Sequence, residues 1–215
     1  MGARYPVLVD LTGAPCLVVG GGAVATRKVL GLLAAAADVT VLAPALTAPL
    51  LALAESDRIR WSQGAYAAVG TAPGGGPWAF AVAATDDVTV NDRVVADARA
   101  AGTWVNDVTD PTGGPAAIPA TRREGPVTVS VSTGGIHPAA ARWLCDQAAQ
   151  VITPEVLVAL DLVEEVRLHD VAAGGTGARP DWRLAVDSGM LDLIREGQLA
   201  EAKERLQACL SSSSD

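Results

Sequence analysis

Along the first half of the chain, short apolar runs alternate with amphipathic stretches, in the rhythm of β-strands separated by helices. Residues 16–19 form a strand-length apolar run. Val29, Leu30, Leu32 and Leu33 then make the apolar side of a helix expected over 24–36. A strand at 39–43, a helix at 46–54 and a short strand at 59–61 follow, the last expected to pair next in the sheet. Residues 67–77 are rich in glycine and proline and read as a loop. The continuous apolar run 78–84 predicts a central strand, 90–100 a helix and 104–108 another strand. This alternation predicts an α/β domain with a doubly wound parallel sheet, complete near residue 112. Residues 5–11 fit either an edge strand or a cover over the nucleotide site that the glycine-rich turn at 20–22 suggests.

The pattern then changes. Residues 116–120 and 127–131 are short β-rich runs around the polar stretch 122–125, and they predict a hairpin. A helix with Ala140, Leu144 and Ala148 on one stripe follows. From 153 onward the pattern is helical, with a glycine-rich break at 174–177, a helical stretch over 182–210 and a frayed tail at 211–215. The expected organisation is a sheet domain over 1–112, a hairpin and helix over 113–150, and a small helical region over 151–215.

Composition narrows the chemistry. Half of the 215 residues are hydrophobic but only 4% are aromatic, so alanine, valine and leucine build the core, as suits strands buried on both faces. The formal net charge of -8 argues against nucleic acid as a partner, which needs a basic footprint. The three cysteines, Cys16, Cys145 and Cys209, show neither zinc spacing nor a disulfide framework, and no metal site is expected. They fit a reducing compartment. With no apolar run of membrane-spanning length and no leader pattern, a cytoplasmic protein without membrane association is expected.

The stretch CLVVGGGAVATRK carries the first candidate chemistry. Gly20, Gly22 and Ala25 satisfy G-x-G-x-x-A between a strand and a helix, the pattern of a turn that cradles a pyrophosphate on a helix N-terminus. Gly20, Gly21, Gly22, Ala23 and Val24 are therefore candidate cofactor-binding residues. The acid that usually follows the second strand to hold the adenine ribose is missing, which leaves Ala43, Pro44 and Ala45 for that role and the choice between NAD and NADP open. Thr85 and Asp86 follow the central strand and are placed to line the same crevice, although Asp86 or Asp87 equally suits a helix cap. Arg27 and Lys28 either meet an anionic ligand or form a solvated helix face. The glycines of Ser132-Thr133-Gly134-Gly135-Ile136-His137-Pro138 suggest a second anion-binding corner or a helix-entry turn.

Taken in order, YPVLVDL, VVGGGAVATRK, VTVLAP, AATDD, VND and PVTVSVSTGGIHPAAARWL resemble the precorrin-2 dehydrogenase family, including the dehydrogenase/ferrochelatase part of siroheme synthase. The resemblance spans roughly residues 5 to 150. It implies a Rossmann-like NAD-binding domain, a homodimer built through the hairpin and its helix, and NAD-dependent oxidation of precorrin-2 to sirohydrochlorin. Iron insertion, with ferrous iron as a further substrate, is the family's second activity. It also implies that Asn106, Thr133, Gly134, Gly135, Arg27 and Lys28 face the tetrapyrrole. Arg122, Arg123 and Arg142 are further cations for its carboxylates. The family's N-x-x-D acid, implicated in catalysis and metal insertion, falls here on Thr109, flanked by Asp107 and Asp110. Threonine is no base near neutral pH, so Asp107, Asp110 or His137 is expected to take that role, with chelation weak or absent. The same threonine leaves open a regulatory module that binds NAD without turnover.

Overall fold

The computed structural model describes residues 4–110, 113–175 and 177–209. These fall into two compact units. One holds the described residues up to Pro119 together with Ser132–Pro138; the other holds Ala120–Val131 and the described residues from Ala139 onward.

The first unit is built from β1 (Pro15–Val19), α1 (Ala23–Leu33), β2 (Asp38–Ala43), α2 (Ala48–Glu55), β3 (Arg60–Gln63), β4 (Phe80–Ala83), α3 (Val88–Ala100) and β5 (Trp104–Asp107). The strands form one parallel sheet in the order β3-β2-β1-β4-β5. The chain winds outward from β1 to β3 and then crosses to β4 on the other side of β1, so the strand order reverses between β1 and β4. In open α/β sheets ligands bind at that reversal, beyond the carboxyl ends of the strands.

Strand alternation gives the sheet two apolar faces. Val18, Val39, Val41 and Val82 pack with Ala25, Val29 and Leu32 of α1 and Leu50 of α2. Leu17, Val19, Ala81, Ala83 and Val105 pack with Val94, Val95 and Ala98 of α3. The crossover from β3 to β4 contains no helix, as its glycines and prolines predict. It is pinned instead by Val69, Ala72 and Trp78 in the core and by the Trp78 indole N–H donating to the Val69 carbonyl at 3.0 Å. Residues 5–11 form no edge strand. Tyr5 and Leu8 are exposed, and only Leu11 packs on the core.

The Thr40 hydroxyl is buried without a hydrogen bond, at the edge of a cavity of about 490 Å³ also lined by Leu42, Trp61, Val69 and Trp78. Removing a buried unsatisfied hydroxyl while keeping its shape gains about 1 kcal/mol. Thr40→Val is thus expected to raise the melting temperature by roughly 2–4 °C in a calorimetric scan.

In the second unit, β6 (Ala120–Glu124) and β7 (Val127–Val131) form an antiparallel hairpin. The hairpin is where expected, but its first strand is not residues 116–120. Pro119 has no N–H to donate, and pairing starts at Ala120, so the polar run ATRRE becomes the strand. Glu124 pairs with Val127, leaving Gly125 and Pro126 as the turn, with Gly125 at φ 54° as a two-residue hairpin turn requires.

Helix α4 (Pro138–Ala149) buries Ala141 and Cys145. The expected stripe is therefore off by one position, and Leu144 and Ala148 are exposed. The helices α5 (Pro154–Ala172), α6 (Trp182–Asp187), α7 (Met190–Arg195) and α8 (Leu199–Ala208) enclose a core of Leu162, Val166, Met190, Ile194 and Leu206. The helical stretch expected over 182–210 is broken twice, at Gly189 and Gly197, whose φ values of 85° and 78° are left-handed. The tail 211–215 lies outside the described residues.

Candidate functional site

The glycine loop joins β1 to α1 at the strand-order reversal. Gly20 has φ 125°, and a Cβ there would lie 2.3 Å from the Ala84 carbonyl oxygen at the end of β4. A Cβ on Gly21 would lie 1.9 Å from the Ala45 carbonyl oxygen, after β2. The loop is thus wedged between two neighbouring strand ends, and the Thr47 N–H donates to the Gly21 carbonyl at 2.9 Å. The Thr26 and Thr47 hydroxyls, 2.9 Å apart, tie α1 to the start of α2.

Gly22 differs. A Cβ there would meet nothing within 4 Å, and Gly22 is the N-cap of α1 with no side-chain cap. The amides of a helix's first turn have no intrahelical acceptor. Here they open on space that only glycine leaves clear, with no acidic residue in the first turn. Ala25, fully buried, lets α1 sit close on the sheet. Gly20 and Gly21 therefore shape the loop, while Gly22, Ala23 and Val24 form a cradle that fits a pyrophosphate.

The ribose end offers less than expected. The Ala43 carbonyl already accepts from the Trp61 indole at 3.0 Å and from the Gly64 N–H at 3.2 Å. The Pro44 carbonyl accepts from Gln63 at 3.4 Å, and proline has no N–H. Arg27 is exposed on the second turn of α1. Lys28 beside it is half-buried, and burial, followed by the Arg27 charge, holds its pKa below the usual lysine value.

At the ends of β4 and β5 the structure assembles a polar network centred on Asn91, a residue fully buried on α3. Its Oδ1 accepts from the Thr85 N–H at 3.1 Å and the Thr85 hydroxyl at 2.8 Å. Its Nδ2 donates to the Thr85 carbonyl at 3.0 Å and, at 3.5 Å, to the Thr109 hydroxyl oxygen. Asp107, only 4% exposed, accepts at Oδ1 from the Thr109 N–H at 2.8 Å and the Thr109 hydroxyl at 2.7 Å. The loop after β4 and the loop after β5 are thereby held together. Asp87 is the helix cap, accepting from Thr89 and Val90, which leaves Asp86 exposed at the crevice.

Asn106 is buried at the end of β5. Its Nδ2 donates to the Ala116 carbonyl at 3.3 Å, and its buried Oδ1 has no hydrogen-bond partner among the described residues. Asp110 is exposed three residues beyond Asp107, the last position of β5, and lies against Gly113.

Thr133, Gly134, Gly135 and His137 belong to one exposed turn before α4. Gly134 and Gly135 are left-handed, at φ 64° and 86°, and the Thr133 hydroxyl both accepts from the His137 N–H at 3.4 Å and donates to the His137 carbonyl at 3.3 Å. Arg122 pairs with Asp146 of α4 at 2.5 Å, so this cation is already engaged within the second unit. Arg123 and Arg142 are exposed. Asn91 is the residue that sequence reasoning passed over. The available signal was a polar residue on the helical stripe Asn91, Val94, Val95 and Ala98, all of which are buried.

Comparison with known proteins agrees with this geometry. The chain is 34% identical over 206 residues to a siroheme synthase of Actinobacillus succinogenes, covering 94% of this chain and 42% of the relative. It is 42% identical over 211 residues to a siroheme synthase of Chromobacterium violaceum, covering 94% and 43%. The chain therefore spans less than half the length of these relatives. A solved structure titled SirC, precorrin-2 dehydrogenase, has the same fold, with a TM-score of 0.67, 24% identity, and coverage of 96% of this chain and 98% of that one. Residues 7–120, which contain the whole parallel sheet and the glycine cradle, match the family described as "Putative NAD(P)-binding". By its sheet order, its cradle and that match, the chain belongs to this NAD(P)-binding family.

Proposed function

We propose that the protein is an NAD-dependent dehydrogenase that converts precorrin-2 to sirohydrochlorin in siroheme biosynthesis. The observation that carries this reading is the extent of the similarity, which runs beyond the nucleotide-binding unit through the hairpin and the C-terminal helices, 94% of the chain in all. A generic nucleotide-binding relative would be similar over the sheet alone.

The chain's own residues supply the parts such a reaction needs. Gly22, Ala23 and Val24 hold the dinucleotide pyrophosphate at the α1 N-terminus. Thr85, fixed by Asn91, and Asp86 beside it border the crevice where the nicotinamide lies, and when bound that ring supplies the hydride acceptor. The carboxylates of precorrin-2 are met by Arg27 and Lys28, and by Thr133 with the Gly134-Gly135 turn. Asn106 is buried behind this edge and braces the Ala116 segment through its Nδ2. Iron insertion is weak or absent, because the position the family gives to an acid is Thr109. The working form is a cytoplasmic homodimer. Support for the dimer comes from a two-stranded sheet, marginal in isolation, and from Trp143 and Leu144, which are 61% and 42% exposed on the adjoining helix.

The test is an anaerobic assay of the purified protein with precorrin-2, NAD or NADP, with and without ferrous iron, on material whose mass in solution is measured alongside. Sirohydrochlorin formation with NAD by a dimer, with iron insertion no faster than the uncatalysed rate, is the expected outcome. NAD binding without turnover would replace the enzyme with the regulatory module that Thr109 also suits, and rapid iron insertion would overturn the chelation part.

A further inference from the structure

Resting on the dehydrogenase reading above, we propose that Thr109 and Asp107 together form the general base of the reaction, with the Thr109 hydroxyl relaying a substrate proton to the buried Asp107 carboxylate. Asp107 is the carboxylate at the end of β5, but it is 4% exposed and cannot touch a substrate lying over the sheet. Thr109 is exposed at the same edge. The two are joined by an O–H···O contact of 2.7 Å, in the range of charge-assisted hydrogen bonds to a carboxylate.

That contact fixes which way the hydroxyl faces. A threonine hydroxyl has one proton and two acceptor lone pairs. The proton is donated to Asp107, one lone pair faces the Asn91 amide at 3.5 Å, and the other remains for a ligand. The Thr109 N–H donates to the same Asp107 oxygen at 2.8 Å, so the backbone cannot rotate the hydroxyl away without losing a second bond. Thr109 therefore presents an oxygen polarised by a carboxylate behind it. Where the resemblance places an acid, this chain has an exposed hydroxyl, with a buried carboxylate two residues earlier.

The step balances. Dehydrogenation removes a hydride and a proton from the substrate, with the hydride and its electron pair accepted by an oxidised nicotinamide dinucleotide. As the substrate proton bonds to Thr109 Oγ1, the hydroxyl's own proton transfers to Asp107 Oδ1. Thr109 ends neutral as it began, Asp107 ends as the carboxylic acid, and reversal of the relay to solvent restores the carboxylate.

The experiment compares wild type, Thr109→Val, Thr109→Ser, Asp107→Asn and the Thr109→Val/Asp107→Asn double variant in the precorrin-2 assay, with Kd for NAD and the melting temperature measured on each cofactor-free protein. A positioned base contributes roughly 10²–10⁴-fold. Thr109→Val is expected to lower kcat by about 100-fold or more within that range while KM and the NAD Kd change less than about threefold, and Thr109→Ser to recover most of the rate. Asp107→Asn should match Thr109→Val, and the double variant should be no slower than either, as for residues acting as one unit. A fully active Thr109→Val, or losses that multiply in the double variant, would overturn the relay alone. Absence of turnover in the wild type would overturn the dehydrogenase reading and the relay with it.

Discussion

Gly21→Ala is expected to unfold or disable the nucleotide-binding unit. The added Cβ would sit 1.9 Å from the Ala45 carbonyl oxygen and 3.0 Å from the Ala43 Cβ. The first neighbour is backbone, which cannot swing aside as a side chain can. Overpacking of this kind costs about 3 kcal/mol, the upper part of its usual range. Relieving it by pushing β2 and the loop apart would break the Thr47–Gly21 hydrogen bond and distort the cradle. A fall in melting temperature of roughly 6–12 °C is expected. Where the variant stays folded, the same energy taken from cofactor binding weakens Kd by about 100-fold.

Gly22→Ala separates the two effects. Its Cβ meets no protein atom within 4 Å, so the free protein should melt as the wild type does while its affinity for NAD falls. Calorimetry and a binding titration on the two variants together decide whether the cradle is assigned correctly. Unchanged NAD affinity in Gly22→Ala would mean that the pyrophosphate lies elsewhere.

The second large effect is expected from Asn91→Leu, which keeps the side-chain volume and removes every polar contact. It leaves the N–H and carbonyl of half-buried Thr85 without the partners that fully buried Asn91 supplies. Each buried group left unpaired costs about 1–3 kcal/mol, so a loss of roughly 3–5 kcal/mol is expected, or about 6–20 °C in melting temperature. The variant should also weaken NAD binding, because the Thr85 loop then lacks its anchor. A melting temperature within about 2 °C of wild type would show that the network carries little of the stability.

Much of this fold was legible because its physical causes are local. A strand buried on both faces must be a continuous apolar run, and the segments of β1 and β4 are such runs. The glycine loop was legible because the backbone at Gly20 and Gly21 comes close to neighbouring carbonyls, a demand met by one residue type. What was hidden depended on partners distant in sequence. Residues 116–120 look more like a strand than ATRRE, yet pairing is set by the Gly125-Pro126 turn and by Pro119, and it favours the polar segment. On α4, alanine and leucine are spaced to suit two adjacent stripes, and packing selects the one with Ala141 and Cys145. The site was legible in its glycines and in the Asn106–Asp110 stretch. The division of labour between Asp107 and Thr109 was not, since it depends on which of the two is covered.

The glycine wedge also bears on how the sequence can drift. Gly20 and Gly21 are blocked by the main-chain oxygens of Ala84 and Ala45, and every residue type has a main-chain oxygen. Position 45, whose side chain is exposed, can therefore accept nearly any amino acid while still excluding all but glycine at position 21. The constraint passes one way. In a saturation library the two glycines should be almost invariant among survivors, and their contact at position 45 should look unselected, so covariation between positions 21 and 45 would be invisible despite their closeness.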